Sequence, residues 1–188
     1  MYWYRSNSGI VWLLFSGLLL TLCCAACKPD IKETGAALKY FDLKGYFNGE
    51  IGRLTKLNKP VVKTVTHNGT SESKKVHINN WGTELDLFVG SDINRPAWKD
   101  SYTVTCSDNF FIYKAKFPEL KMRQMVIKKD KGMVKWILIF NRTKNILYQT
   151  TEKLSYFPDS LYLIEKDQKV RLMAKNKYKV QGLIDGDF

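Results

Sequence analysis

The chain has little with which to do thiol, metal or acid–base chemistry. Its 188 residues include only two histidines, His67 and His77, and four cysteines, three of which (Cys23, Cys24 and Cys27) crowd into one short stretch. That leaves Cys106 alone in the remainder, so no intramolecular disulfide is expected and stability rests on packing. No nucleophile elbow, phosphate-cradling glycine loop or H-E-x-x-H segment occurs. Glu84 and Asp86 are two apart on an expected helix and point in different directions, which reads as solvated charge rather than a general acid/base pair. Cys106 reads as a buried, inert thiol opposite Phe110. No cofactor is expected, and the residues indicate no enzyme. Acidic side chains are also scarce, 18 against 30 Lys and Arg, giving a net charge of +12. Such a balance favours anionic lipid head groups, polyanionic polysaccharide or acidic proteins as partners and says nothing about the fold.

One long apolar run is present. After a short head carrying Arg5, the segment from Ile10 ends in Cys24-Ala25-Ala26-Cys27. A brief head, an apolar stretch and small residues before the boundary are the layout of a bacterial secretory signal. The uncharged span from Ser6 to Ala26 is also long enough to cross a bilayer uncleaved, and Cys24-Ala25-Ala26 satisfies the small-x-small rule of ordinary secretion, so both alternatives stay open. Cys23, Cys24 and Cys27 are not read as a metal site, because no second ligand pair accompanies them.

Ala25-Ala26-Cys27 resembles the lipobox of bacterial lipoproteins, with Cys24 standing where that family usually has Leu. The resemblance implies a signal peptide over residues 1–26, a diacylglyceryl group on the Cys27 sulfur with a further acyl chain on its amine, and a tether over residues 27–30. Two or more chains anchor a protein stably where one does not. Lys28 in place of aspartate favours the outer membrane, and that location disfavours nucleic acid as a partner. Without Arg5, 29 basic residues face 18 acidic ones, a net charge of +11 for the mature chain.

Residues 31–188 are the size of one domain. Ile31, Leu38, Phe41, Phe47, Ile51 and Leu54 fall near one helical face and predict one or two helices over 30–57, closed by Lys59-Pro60. Val61 to Ile78 reads as a hairpin about Asn68-Gly69. Trp81, Leu85, Phe88 and Val89 mark a further helical stretch ended by Pro96. From Ser101 onward the chain reads as consecutive strands. A Ser107-Asp108-Asn109 loop pairs Cys106 with Phe110, and an Asp130-Lys131-Gly132 loop pairs Val126 with Trp136 and Met125 with Ile137. Loops at Asp167-Gln168 and Lys175-Asn176-Lys177 then set Leu163 beside Leu172 and Leu172 beside Val180.

The expected fold is therefore α+β, N-terminal helices packed on a curved antiparallel sheet or half-barrel of about seven to nine strands. Met133 to Asn141 is apolar on both sides, and a sheet of that kind must be covered twice, curl around its own side chains or enclose a ligand. The candidate ligand face is Trp136, Tyr162, Ile164, Arg171, Met173 and Lys179, with the cations placed to meet an anionic head group. In architecture alone this resembles the half-barrels of envelope lipoprotein carriers. The expected function is that of a membrane-anchored envelope protein. Its partners would be the bilayer, through acylated Cys27, and an acyl chain or phospholipid or another envelope protein. The alternative is a structural or interaction protein with no ligand pocket.

Overall fold

A computed structural model describes residues 38–171 and 174–184. Cys27, the lipobox segment and the tether lie outside them. Among the described residues no helix is long and apolar enough to cross a membrane.

Helix α1 spans Leu43–Leu57. Asp42 caps it, its carboxylate accepting from the Gly45 amide at 2.7 Å. Asn58 ends it in the left-handed conformation (φ 47°), and Pro60 prevents its continuation. Phe47 and Leu54 of the predicted stripe are buried, as is Leu43 outside it, whereas Leu38 is exposed. Strands β1 (Val61–His67) and β2 (Thr70–Val76) form the expected hairpin, with Asn68 and Gly69 both at positive φ.

The second helical stretch is two short helices, α2 (Trp81–Glu84) and α3 (Asp86–Val89). Gly90 follows α3, and Pro96 opens a short 3-10 turn, Pro96–Trp98, instead of closing a long helix. Proline suits a first helical position because its missing N–H would have no partner there.

Seven strands follow: β3 (Tyr102–Ser107), β4 (Phe110–Ala115), β5 (Met122–Asp130), β6 (Met133–Lys144), β7 (Tyr148–Phe157), β8 (Leu161–Val170) and β9 (Asn176–Leu183). All nine strands make one antiparallel sheet in the order β2-β1-β9-β8-β7-β6-β5-β4-β3. The N-terminal hairpin thus joins the C-terminal strand, and among the described residues the sheet is open, with β2 and β3 as its edges.

Register differs from the sequence expectation by one residue at the β3–β4 turn and by two at the β5–β6 turn, and the expected turn at Asp167-Gln168 is absent. Asp108-Asn109 is a two-residue loop, so Cys106 faces Phe111 and Ser107 faces Phe110. Lys131-Gly132 is also a two-residue loop, both residues at positive φ, with an irregularity at Lys128/Lys129; Val126 faces Leu138 and Met125 faces Ile139. Asp167-Gln168 is no loop at all. Strand β8 runs through it to Val170, Asp167 faces Lys177, and Val180 faces Ile164. Neither Asp167 nor Gln168 has positive φ, and each stays bonded into the ladder.

These registers place the buried strand residues on one face. Its rows read Lys63, Gly182, Tyr162, Tyr156, Ile137, Ile127, Phe111, Cys106, and then Val65, Val180, Ile164, Leu154, Ile139, Met125, Tyr113, Val104. The buried members of these rows form one cluster with Tyr40, Leu43, Phe47, Trp81, Leu85, Phe88 and Ile93. The Phe47 and Tyr156 rings meet at 5.0 Å, Trp81 and Tyr162 at 6.0 Å, and Tyr40 and Tyr102 at 5.8 Å. This is an α+β domain built on a nine-stranded antiparallel sheet.

Candidate functional site

The core face carries its carboxylates in tyrosine- and amide-bonded clusters. Glu50 of α1 accepts from the Tyr156 hydroxyl at 2.5 Å and from Arg53, whose guanidinium also reaches Asp159. Glu84 of α2 accepts from Tyr162 at 2.7 Å and from Lys63 at 2.8 Å. It is half-buried and bonded, where sequence suggested a solvated charge, because its helix turns it toward β1 and β8. Glu152 is buried beside Asn141, which donates to it and to Ser91, with Lys121 and Lys166 at 3.5 and 3.7 Å. Burial raises the Tyr156 and Tyr162 hydroxyls, and the carboxylate each one bonds raises it further. Each cluster ties a helix or the segment after it to a strand, which is a structural use of charge. Among the described residues no group of His, Cys, Asp and Glu could hold a metal ion.

Glu50 supplies a prediction. Burial pushes its carboxyl up, but the Arg53 and Tyr156 hydrogen bonds outweigh burial and hold it below the usual 4.5. A lowered folded-state value stabilises the protein above the unfolded value and is lost as pH falls through the folded one. Thermal melts between about pH 5 and pH 3 should therefore steepen in the wild type and flatten in Glu50→Gln. Equal slopes would refute the assignment.

The opposite face has the site-like pattern. Along β6 it presents Trp136, Leu138, Phe140, Arg142 and Lys144 in sequence. Alternate residues lie about 6.8 Å apart, so Trp136 to Arg142 covers roughly 20 Å. Beside this strand the same face carries Val126 and Ile112 on one side and Leu163 on the other, with Phe110 next to Lys128 and Trp136. Leu138 is 36% exposed and Phe110 37%. Farther along lie Lys179, Glu165, Lys153 and Lys114, then Lys177, Asp167, Thr151 and Arg142. The apolar field therefore grades into a mainly cationic one.

Two shallow depressions occur at the cationic end. One of about 340 Å³ is lined by Thr66, Thr151, Lys153, Glu165, Lys177 and Lys179 among others. The other, about 330 Å³, is lined by Lys121, Arg123, Arg142 and Lys144 with Glu119. Arg123 sits in the irregularity between Met122 and Gln124 and donates to the Phe117 carbonyl, which orients its guanidinium. Among the described residues no carboxylate pairs with Arg123, Arg142, Lys144 or Lys153.

The candidate ligand residues do not share one face. Trp136 and Lys179 lie on the open face. Tyr162 and Ile164 lie on the core face, Tyr162 wholly buried, because even-numbered β8 residues point inward. Arg171 is exposed just beyond β8, its amide bonded to the Leu147 carbonyl at 2.8 Å. Met173 lies outside the described residues. Cys106 is exposed, in contrast to the buried thiol expected, since its strand is the sheet edge. His67 stacks on Tyr178 at 4.4 Å, and His77 follows the far end of β2. Following β6 four residues past Phe140 brings in Arg142 and Lys144.

No family model, curated protein or solved structure matches this chain.

Proposed function

We propose that this protein is an exported, lipid-anchored component of a bacterial envelope, without catalytic activity, whose open sheet face binds an anionic amphiphile. In this reading Cys27 carries the acyl chains that hold it to the outer membrane. The helices roof one face of a curved sheet, and the other face, in the manner of a half-barrel, receives the ligand. The observation that carries the reading is the open side of β6, where Trp136, Leu138 and Phe140 lead into Arg142 and Lys144. An apolar track of that length matches an acyl chain, and unpaired cations at its end suit a phosphate or carboxylate head group. The net charge of +11 carried by the mature chain agrees in sign.

Solvent extraction and mass spectrometry of natively purified protein test it. The expected result is an acylated Cys27 plus a separable anionic lipid, with Cys27→Ser released from the membrane yet still carrying that lipid. Neither Cys27 acylation nor a co-purifying lipid would overturn both halves. An acylated chain without bound lipid, unresponsive to added amphiphile, leaves the half-exposed apolar field as a protein-docking surface.

A further inference from the structure

The two sheet edges are unlike. Edge strand β2 carries Glu72, Lys74 and Lys75, the charges with which proteins blunt an edge against pairing. Edge strand β3, Tyr-Thr-Val-Thr-Cys-Ser, has no charge, proline or glycine, and it pairs with β4 in unbroken register. Val104 is 44% exposed, and Thr103 through Ser107 are all exposed. The Lys116 amide bonds the Ser101 carbonyl at 2.9 Å, which fixes the alternation along the ladder. Thr103, Thr105 and Ser107 then exchange bonds with Lys114, Ile112 and Phe110, and the N–H and C=O groups of Tyr102, Val104 and Cys106 point away from the sheet.

We propose that β3 pairs antiparallel with β3 of a second copy, joining the two sheets about a two-fold axis at Val104. That register sets Val104 against its own symmetry mate and Tyr102 against Cys106, and every outward donor meets an acceptor. The strand's neutrality selects a second copy. On a chain of net charge +12 it is the edge where identical molecules meet without placing lysine against lysine, as Lys74 and Lys75 would on β2. Val104 and Cys106 lie on the core face beside Tyr113 and Phe111, so pairing extends the apolar cluster from one subunit toward the next. The contact is small and therefore weak in solution, and it gains from confinement of both copies to one membrane.

The test is disulfide trapping with sedimentation. Val104→Cys in a Cys106→Ser background should cross-link under mild oxidation, because paired residues of this kind have Cα atoms about 5.5 Å apart, within disulfide reach. Wild-type Cys106 should not cross-link, since it lies roughly 14 Å from its mate along the strand. In sedimentation at about 100 µM and above, the wild type should show dimer, and Val104→Lys should weaken dimerisation at least tenfold at an unchanged melting midpoint. A wild type that stays monomeric at these concentrations would overturn the proposal. Dimerisation indifferent to Val104→Lys would do the same, as would cross-linking through Cys106 in preference to Cys at 104.

Discussion

Gly182→Ala should lower the melting midpoint by about 3–10 °C, the range expected when overpacking costs about 1–3 kcal/mol in a domain of this size. Gly182 lies directly opposite Tyr162 on the core face. A Cβ there would stand 2.1 Å from Tyr162 Cε1 and 2.2 Å from Cζ. The ring has nowhere to retreat, since it is wholly buried, its hydroxyl is fixed to Glu84 and its flank meets Trp81. The sign is informative. Glycine 182 is not at positive φ, and at such positions alanine ordinarily stabilises by about 0.4–1 kcal/mol through the unfolded chain. A fall therefore reports the tyrosine contact, and Tyr162→Leu introduced with Gly182→Ala should cost less than the two changes summed. An unchanged or higher midpoint would show that Tyr162 does not occupy the space over Gly182.

Glu84→Ala should destabilise by about 2–4 kcal/mol, because it leaves the Tyr162 hydroxyl and the Lys63 ammonium without their acceptor. Lys63 is 28% exposed in its side chain and can turn partly to water, which favours the lower half of that range. Glu84→Gln keeps an acceptor for Tyr162 and should lose less. Replacing all three groups by apolar residues, Lys63→Met, Glu84→Leu and Tyr162→Phe, should recover much of the loss, since removing a whole buried polar cluster is far less costly than orphaning part of it. Denaturant melts of the wild type and the three variants decide this, and a Glu84→Ala within 0.5 kcal/mol (about the noise of a surface change) would refute the assignment.

The elements of this fold were legible in the sequence wherever a local chemical signal was strong. Asn68-Gly69 specified its turn because both residues tolerate positive φ, and the Phe47-to-Leu54 stripe specified α1 through its period. Register was less legible. Lys131 takes positive φ although lysine seldom does, and the irregularity at Lys128/Lys129 shifts β5 against β6 by a residue that no pattern announces. The β8–β9 turn lies beyond Asp167-Gln168 despite the polar, turn-like composition of that pair, because the ladder holds Asp167 to Thr151 and Gln168 to Asn176 and keeps both extended. Which face of a doubly apolar sheet is the core depends on long-range packing. Composition alone therefore groups Tyr162 and Ile164 with Lys179, although Lys179 pairs with Glu165, on β8's opposite side. The two-sided apolarity of β6 was visible, and the graded track from Trp136 to Lys144 required only that it be followed to the strand's end.

The central claim is that the open side of β6 binds an anionic amphiphile. Calorimetric titration of the purified protein with a single-chain alkyl phosphate, below its micelle concentration, tests it most directly when wild type, Leu138→Glu and Arg142→Glu/Lys144→Glu are run side by side. Saturable wild-type binding near one per chain is predicted, absent in Leu138→Glu and weakened at least tenfold in the double variant, with melting midpoints of all three within a few degrees. Equal binding by all three proteins, or none by the wild type, would contradict it.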